Sequence, residues 1–417
     1  MNRLLDRILT RLVRRGKLLI TWSDGVTSVY GDGAGANAHL IFRDKKAERD
    51  ALLSPELTLG ESYMDGRLEF TEGSLTGFLQ IVNDNWTNRR PAAWMQAAER
   101  MRHLAQRLSL NNNLLSARKN ISHHYDLDER LYRLFLDTDL QYSCAYFESP
   151  NATLEEAQRA KKRHIAAKLA LKPGLDVLDI GSGWGGLGIY LAQTSGVNVT
   201  GVTLSEEQHR VSNERARTEG LADRVKFELK DYRLLDRKFD RIVSVGMFEH
   251  VGRARFGEYF EHAKRLLKPG GVMLLHSIGR FTPPEATNPW LVKYIFPGGY
   301  IPSVSEVMPA IEKSGLFVTD MEILRLHYAK TLKIWRERFL ARREEAKALY
   351  DERFVRMWDF YLAISEYAFR GGSMMNFQIQ LTADLEALPL TRDYMGAAEA
   401  ELGRLQPKPE SLRIAGA

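Results

Sequence analysis

The sequence holds a single cysteine, Cys144, in 417 residues. It therefore cannot form an intramolecular disulfide, and there is no cysteine cluster to hold zinc, so no metal site is expected. No run approaches the roughly 18 uncharged apolar residues that a spanning helix needs, which excludes a transmembrane protein. A secretory apolar segment is also missing, and a reducing, cytoplasmic setting is expected. Apolar residues at 44% and charged residues at 27% are globular values that exclude global disorder. The length exceeds one ordinary core and predicts a large domain with a smaller one.

The net charge of +6 is not spread evenly. Residues 1–17 carry Arg3, Arg7, Arg11, Arg14, Arg15 and Lys17 against one acid, Asp6, which leaves the remainder near neutral. Nucleic acid is therefore not an expected partner, and no nucleic-acid module is recognisable. The arginines recur at helical spacing while Leu5, Ile8, Leu9, Leu12 and Val13 share the opposite face. Such a basic amphipathic helix has two readings. It could dock reversibly on an anionic bilayer, each base contributing about 1 kcal/mol. It could equally dock on its own domain or on a dimer partner.

Residues 18–30, LLITWSDGVTSVY, read as a hairpin around Asp24-Gly25. Strands and short helices follow through GESYMDGRLEF (60–70) and SLTGFLQIV (74–82), giving a small α+β domain over residues 1–85. Residues 86–120 are polar, rich in Arg and Asn, and read as a helical linker. From 121 to 417 a βα alternation marks the catalytic domain.

The strongest local signal is VLDIGSGWGGLGIYLA (177–192), a strand ending in Asp179, a glycine turn and a helix. Glycine is needed where backbone must approach a ligand closely at positive φ. Gly181-x-Gly183-x-x-Gly186 alone does not separate NAD from S-adenosylmethionine. An NAD site wants an acid at the tip of the second strand. Here that strand, VNVTGVTL (197–204), ends in Thr203 and Ser205. A third strand, VKFEL (225–229), leads to Asp231-Tyr232, a carboxylate and a ring suited to an adenine amino group and face. A fourth strand begins FDRIVS (239–244), and a turn LKPGG (267–271) precedes a fifth, VMLLHSI (272–278). In that order these motifs resemble class I S-adenosylmethionine-dependent methyltransferases. The resemblance implies a Rossmann-like, doubly wound, mostly parallel seven-stranded sheet.

Further segments narrow the family. HHYDLDERLYRLFLDTDLQYSCAYF (123–147), GVTLSEEQ (201–208), GMFEHVG (246–252), HSIG (276–279), YIFPGGYIPS (294–303), LHYAKTLKIW (326–335) and FVRMWDFYLAISEYAFR (354–370) resemble cyclopropane-fatty-acyl-phospholipid synthases. GESYMDG (60–66) extends the likeness into the small domain. The resemblance implies that the methyl of S-adenosylmethionine is added across a cis double bond of a phospholipid acyl chain. It also implies a bound bicarbonate ion as base, held by Cys144, Glu249, His276, Ile278 and Tyr328. For the cosubstrate it implies Tyr142, Ser143, Thr203 and Gln208, beside Asp179, Gly181 and Gly183 at the methionine end and Asp231 and Tyr232 at the adenine end.

Each ligand has a plainer reading as a core residue. Cys144 could be a small buried hydrophobe, His276 a hydrogen-bonded core histidine, and Tyr328, expected on a late strand, a packing residue. Glu249 is hardest to explain that way, because an acid beyond the C-terminal end of a parallel strand faces the ligand crevice. The family often carries a cysteine in its late helix where this chain has Ser365, so a covalent role there is not expected. A basic, aromatic helix is expected over 330–360. The partners expected are phospholipid acyl chains at the inner face of the membrane and a second copy in a homodimer. A lipid methyltransferase giving a methyl or methylene branch, a small-molecule N-methyltransferase and a lipid-binding protein without catalysis are the alternatives.

Overall fold

The computed structural model describes residues 2–71, 73–86, 127–371 and 373–405. The expected linker therefore lies outside the described residues, apart from Trp86. Helix α1 (Arg3–Leu12) is capped by Asn2, whose side chain accepts from the N–H groups of Leu4 and Leu5. Part of its apolar stripe is spent internally: Leu5 and Val13 are buried and Leu9 packs with them in the core of the N-terminal α+β region, while Ile8 and Leu12 stay half-exposed. Arg3, Arg7, Arg11 and Arg14 stay exposed.

Strands β1 (Lys17–Thr21), β2 (Thr27–Tyr30), β3 (Asn37–Phe42) and β4 (Leu68–Phe70) form a sheet in the order β2-β1-β3-β4. The expected hairpin is β1 with β2, Leu18 opposite Tyr30. Helices α2 (Lys45–Leu53), α3 (Pro55–Met64) and α4 (Ser74–Trp86) complete this part. The GESYMDG segment is where it meets the rest of the molecule. A Cβ on Gly60 would lie 2.5 Å from the Trp290 indole and 2.8 Å from Phe360, so only glycine permits that approach. Around it, Tyr63 donates to Asp359 at 2.8 Å, Lys293 and Tyr294 both reach Glu61, and Arg353 pairs with Asp65.

The larger part runs α5 (Glu129–Phe135), α6 (Leu154–Lys168), β5 (Asp176–Ile180), α7 (Gly186–Ser195), β6 (Asn198–Thr203), α8 (Glu206–Thr218), β7 (Val225–Leu229), β8 (Phe239–Val245) and α9 (Phe256–Leu266). It continues β9 (Leu267–Arg280), α10 (Pro289–Tyr294), α11 (Val304–Ser314), β10 (Phe317–Leu324), α12 (His327–Ala341), α13 (Arg343–Leu349), α14 (Glu352–Arg370), β11 (Met374–Thr382) and α15 (Asp393–Leu405). The sheet order is β10-β11-β9-β8-β5-β6-β7, parallel from β9 to β7, with β10 and β11 antiparallel. The order reverses between β5 and β8, and ligands bind beyond the strand ends at such a switch point.

Three expectations need correction. Tyr328 sits in the first turn of α12, not on a strand. Tyr328, Leu332, Trp335 and Phe339 are all buried, a helical spacing that a strand would not produce. The expected helix over 330–360 is three helices, α12 to α14, because the backbone leaves the helical region at Arg342 and again at Tyr350, after which Asp351 restarts it by accepting from Phe354 N–H at 2.7 Å. The LKPGG turn belongs to β9 as an irregularity: Phe239 pairs with Leu267 but Arg241 pairs with Val272.

Candidate active site

Beyond the C-terminal ends of β5, β6 and β7 lies a first cavity. The glycine turn opens it. Gly181 adopts φ +80° and a Cβ there would lie 2.8 Å from Met247, while Gly183 adopts φ +53° with open space beside it. Gly186, at the start of α7, admits the segment carrying Asp139 and Gln141, whose side chains would stand 2.4 and 2.5 Å from a Cβ. Asp179 ends β5 inside the cavity with Oδ2 buried and without a partner, and burial pushes its carboxyl up to about 7. A buried carboxylate without a partner fits a ligand that brings its own positive charge. Thr203 donates to Gln208 at 2.9 Å across the tip of β6. Asp231 is held from both oxygens by Arg233, at 2.9 and 2.7 Å, with Tyr232 beside it. All the residues expected to hold the cosubstrate line this cavity.

A second, larger cavity adjoins it, and Tyr142, Ser143, Gly246 and His250 line both. Its walls are largely apolar, with Leu291, Phe296, Leu332, Ile364, Phe369 and Met374 among them, and Glu56 reaches it from the small domain. The structure brings Cys144, Glu249, His276, Ile278 and Tyr328 together in this one space. Glu249 lies in a short turn after β8; its Oε1 accepts from the Ile278 N–H at 2.6 Å and its Oε2 is buried without a partner. β8 ends one residue short of that N–H, at Val245 opposite His276, so the carboxylate takes the place of the next strand bond. Burial pushes Glu249 up to about 7.

His276 is held down to about 3 by burial, reinforced by Lys161 and Lys168, so its ring is neutral. The Gln378 amide donates to its Nδ1 at 3.1 Å, which leaves the proton on Nε2, itself buried and without a partner. The Cys144 thiol is pushed well up by burial and donates to Ala145 O at 3.4 Å. Tyr328 packs edge-on to Trp335.

Sequence reasoning missed four residues here. His250, adjacent to Glu249, is half-buried, and desolvation holds it down to about 4. Tyr361 shares a hydrogen bond of 2.9 Å with Tyr142. Asn376 and Gln378 stand on β11 opposite Ile278 and His276, with Asn376 Oδ1 buried and without a partner. A signal existed: Asn376, Gln378 and Gln380 alternate in MMNFQIQLT, and polar residues repeating on one face of a buried strand are unusual.

The strand order, glycine turn and cavity beyond β5 define an S-adenosylmethionine-dependent methyltransferase of class I. Within that class the chain belongs to the family described as mycolic acid cyclopropane synthetase, whose profile matches residues 112–379. A domain of unknown function matches residues 4–89. The cyclopropane-fatty-acyl-phospholipid synthase of Escherichia coli K12 is 41% identical over 354 residues, 84% of this chain and 89% of that one. The tuberculostearic acid methyltransferase of Mycobacterium tuberculosis is 35% identical over 392 residues, 90% of this chain and 89% of that one. The crystal structure of the mycolic acid cyclopropane synthase CmaA1 complexed with SAH and CTAB is similar at 36% identity and a TM-score of 0.60, covering 63% of this chain and 97% of that one.

Proposed function

We propose that the protein is a cyclopropane synthase acting on phospholipid acyl chains, moving the S-adenosylmethionine methyl onto a cis double bond and closing the ring. The observation that carries this reading is the shared wall. A cosubstrate cavity and a larger apolar cavity meet at Tyr142, Ser143, Gly246 and His250. An alkene is a poor nucleophile, so holding it in line with the sulfonium supplies much of the acceleration. The apolar lining excludes water that would quench a carbocation, and the faces of Tyr142, Phe296, Tyr328, Tyr361 and Phe369 stabilise positive charge.

Bicarbonate, when bound, would supply the base that takes a proton from the new methyl. Its fit rests on the partnerless His276 Nε2–H and Glu249 Oε2, with the Tyr328 hydroxyl in the same space and the Cys144 thiol able to donate once turned from Ala145 O. A carboxylate beside an anion is unfavourable unless a proton lies between them. Burial makes Glu249 able to carry that proton near neutral pH, so its Oε2 can donate, while its other oxygen stays fixed by Ile278. Ile278 thus orients Glu249 through its N–H.

Mass spectrometry of lipids from cells expressing the protein tests the reaction. The expected product gains the mass of one CH2 per acyl chain and shows no vinyl protons. A saturated methyl branch would add two further hydrogens, and a methylene branch would show vinyl protons; either would favour a reading closer to the tuberculostearic acid methyltransferase relative. The same proposal places the protein at the inner membrane face as a homodimer, with light scattering expected to give twice the chain mass. Because Leu5, Leu9 and Val13 are docked internally, attachment would rest mainly on the exposed arginines of α1. Changing Arg7, Arg11 and Arg14 together to Glu should weaken pelleting with anionic vesicles about a hundredfold, at about 1 kcal/mol per base. Salt should weaken the unmodified protein similarly. Unaltered pelleting of the folded variant would remove α1 from the membrane contact.

A further inference from the structure

Between the two cavities runs the segment 137–143, and it is held under tension. Leu140 is buried at φ +56°, a conformation costly for a residue with a side chain. The turn persists because its neighbours fix it from several sides. Asp137 accepts from the Gln141 N–H at 2.8 Å, and the Asp139 carboxylate is taken by Lys162, Arg215 and the Gln141 amide. Helix α6 adds two fully buried residues one turn apart. Gln158 donates to the carbonyls of Gln141 and Ser143, at 3.2 and 2.9 Å. Lys161 donates to Gln141 Oε1 at 2.6 Å and to Ser143 Oγ at 2.8 Å.

Lys161 is unusual in what it lacks. Its side chain is fully buried and forms no salt bridge with a carboxylate among the described residues; Asp139 is spent on Lys162 and Arg215, and the buried Asp137, the charge that acts on it most, accepts from the N–H groups of Asp139 and Gln141 instead. A buried ammonium without a carboxylate partner is costly. Asp179 is its mirror image in the same neighbourhood, a buried carboxylate with Oδ2 partnerless, and the two influence each other electrostatically. A ligand bearing one positive and one negative group on a single carbon would compensate both. The amino-acid end of S-adenosylmethionine is such a zwitterion.

The direction of one proton sharpens this. An ammonium only donates, so Ser143 Oγ is the acceptor toward Lys161 and its own O–H is turned elsewhere. Ser143 lines the cavity wall, so that proton is free to serve an oxygen of the ligand. Gln141, the other partner of Lys161, lines the first cavity and not the second, which places this cation on the cosubstrate side. We propose that Lys161 is a positioning residue for the carboxylate of the cosubstrate's amino-acid end, acting through the Ser143 hydroxyl and as the charge behind it. Burial lowers the ammonium to about 8, so it remains mostly charged at neutral pH. The inference rests on the cosubstrate reading of the first cavity and adds the group that recognises the carboxylate.

Calorimetry on the full chain with two ligands tests it. S-adenosylhomocysteine carries the amino-acid end, and 5′-methylthioadenosine lacks it. Lys161→Met should weaken S-adenosylhomocysteine about tenfold to a hundredfold, the loss of a hydrogen bond to a charged group, and leave methylthioadenosine within twofold. A merely structural lysine would weaken both ligands alike, and that result overturns the proposal. Should Lys161→Met fail to fold, Ser143→Ala keeps the lysine and should give the same selective loss; an equal loss for both ligands in that variant also overturns it. Unchanged S-adenosylhomocysteine affinity, with turnover instead becoming more dependent on added bicarbonate, would assign Lys161 to the second cavity and overturn it too. If the unmodified protein bound neither ligand, the cosubstrate reading itself would fall, a result separate from any behaviour of the variants.

Discussion

The two cavities are built in opposite ways. The first is assembled from consecutive strand-to-helix turns at the tips of β5, β6 and β7, and its ionic groups, Asp179 and the Asp231–Arg233 pair, stand where a charged ligand docks. The second gathers Cys144, Glu249, His276, Tyr328 and Asn376 from a loop, a turn, a strand, a helix and another strand. Its polar groups are largely neutral: the imidazoles of His250 and His276 are held well below neutrality and the thiol well above it. Its guanidinium, Arg280, is tied to Glu285 at 2.7 Å. A cosubstrate arrives charged and can be met by charge. A cation that forms during a reaction in an apolar space is better served by fixed dipoles, because an uncompensated charge there would be costly and would draw in water. Binding and chemistry are thereby separated in space, and variants should separate them too.

The largest expected effect lies in the second cavity. Glu249→Gln and His276→Ala should each lower turnover on lipid vesicles at least about a hundredfold, as loss of one preorganised group commonly does. S-adenosylhomocysteine affinity by calorimetry should stay within about twofold. A parallel collapse of affinity would show that the division between the cavities is not functional.

A smaller effect belongs to the first cavity. Asp179→Asn should weaken S-adenosylhomocysteine about tenfold by removing a charge-assisted contact, while stabilising the ligand-free protein at high pH. The sign follows from the raised carboxyl. The folded state binds this proton more tightly than the unfolded state, whose carboxyl titrates near 3.8, so its contribution to stability falls as pH rises from about 4 to about 7 and is level above that. The gain in melting temperature on Asp179→Asn should therefore be absent near pH 4 and reach a few degrees at pH 8. A variant that melts lower at pH 8 would mean that the ligand-free protein already compensates this carboxylate.

The same contrast explains what could be read in the sequence. The glycine turn, Asp179 and Asp231 are legible because each sits within a few residues of its strand tip, so local pattern carries the geometry; Thr203 and Gln208 came from resemblance to a family. The second cavity was not legible by such means. Nothing local relates Cys144 to Tyr328, and that set came from resemblance to a family. Tyr328 was misplaced on a strand because a short apolar stretch after β10 does not reveal its period until Trp335 and Phe339 are included. Gln378 was missed because its role toward His276 depends on the register between β9 and β11, a long-range fact. For α1 the pattern gave the helix but not its use: Leu5 and Val13 carry the same signature whether their face meets a membrane or, as here, the core beside β1 and β3.

The smallest expected effect concerns Ser365, which lines the second cavity on α14 at the position where the family often carries cysteine. A serine becomes a nucleophile only when a base takes its proton, and no histidine, lysine or carboxylate among the described residues is hydrogen-bonded to its hydroxyl. The nearby imidazoles, the half-buried His250 and the buried His276, are poorly basic because both are desolvated. Ser365→Ala should therefore keep turnover within a few fold of the unmodified protein, with any loss arising from packing against the acyl chain. Ser365→Cys should change it no more, because a thiol there would meet no base to ionise it either. A folded Ser365→Ala protein without turnover would place covalent chemistry in this cavity and break the account of it as a neutral, dipole-lined space.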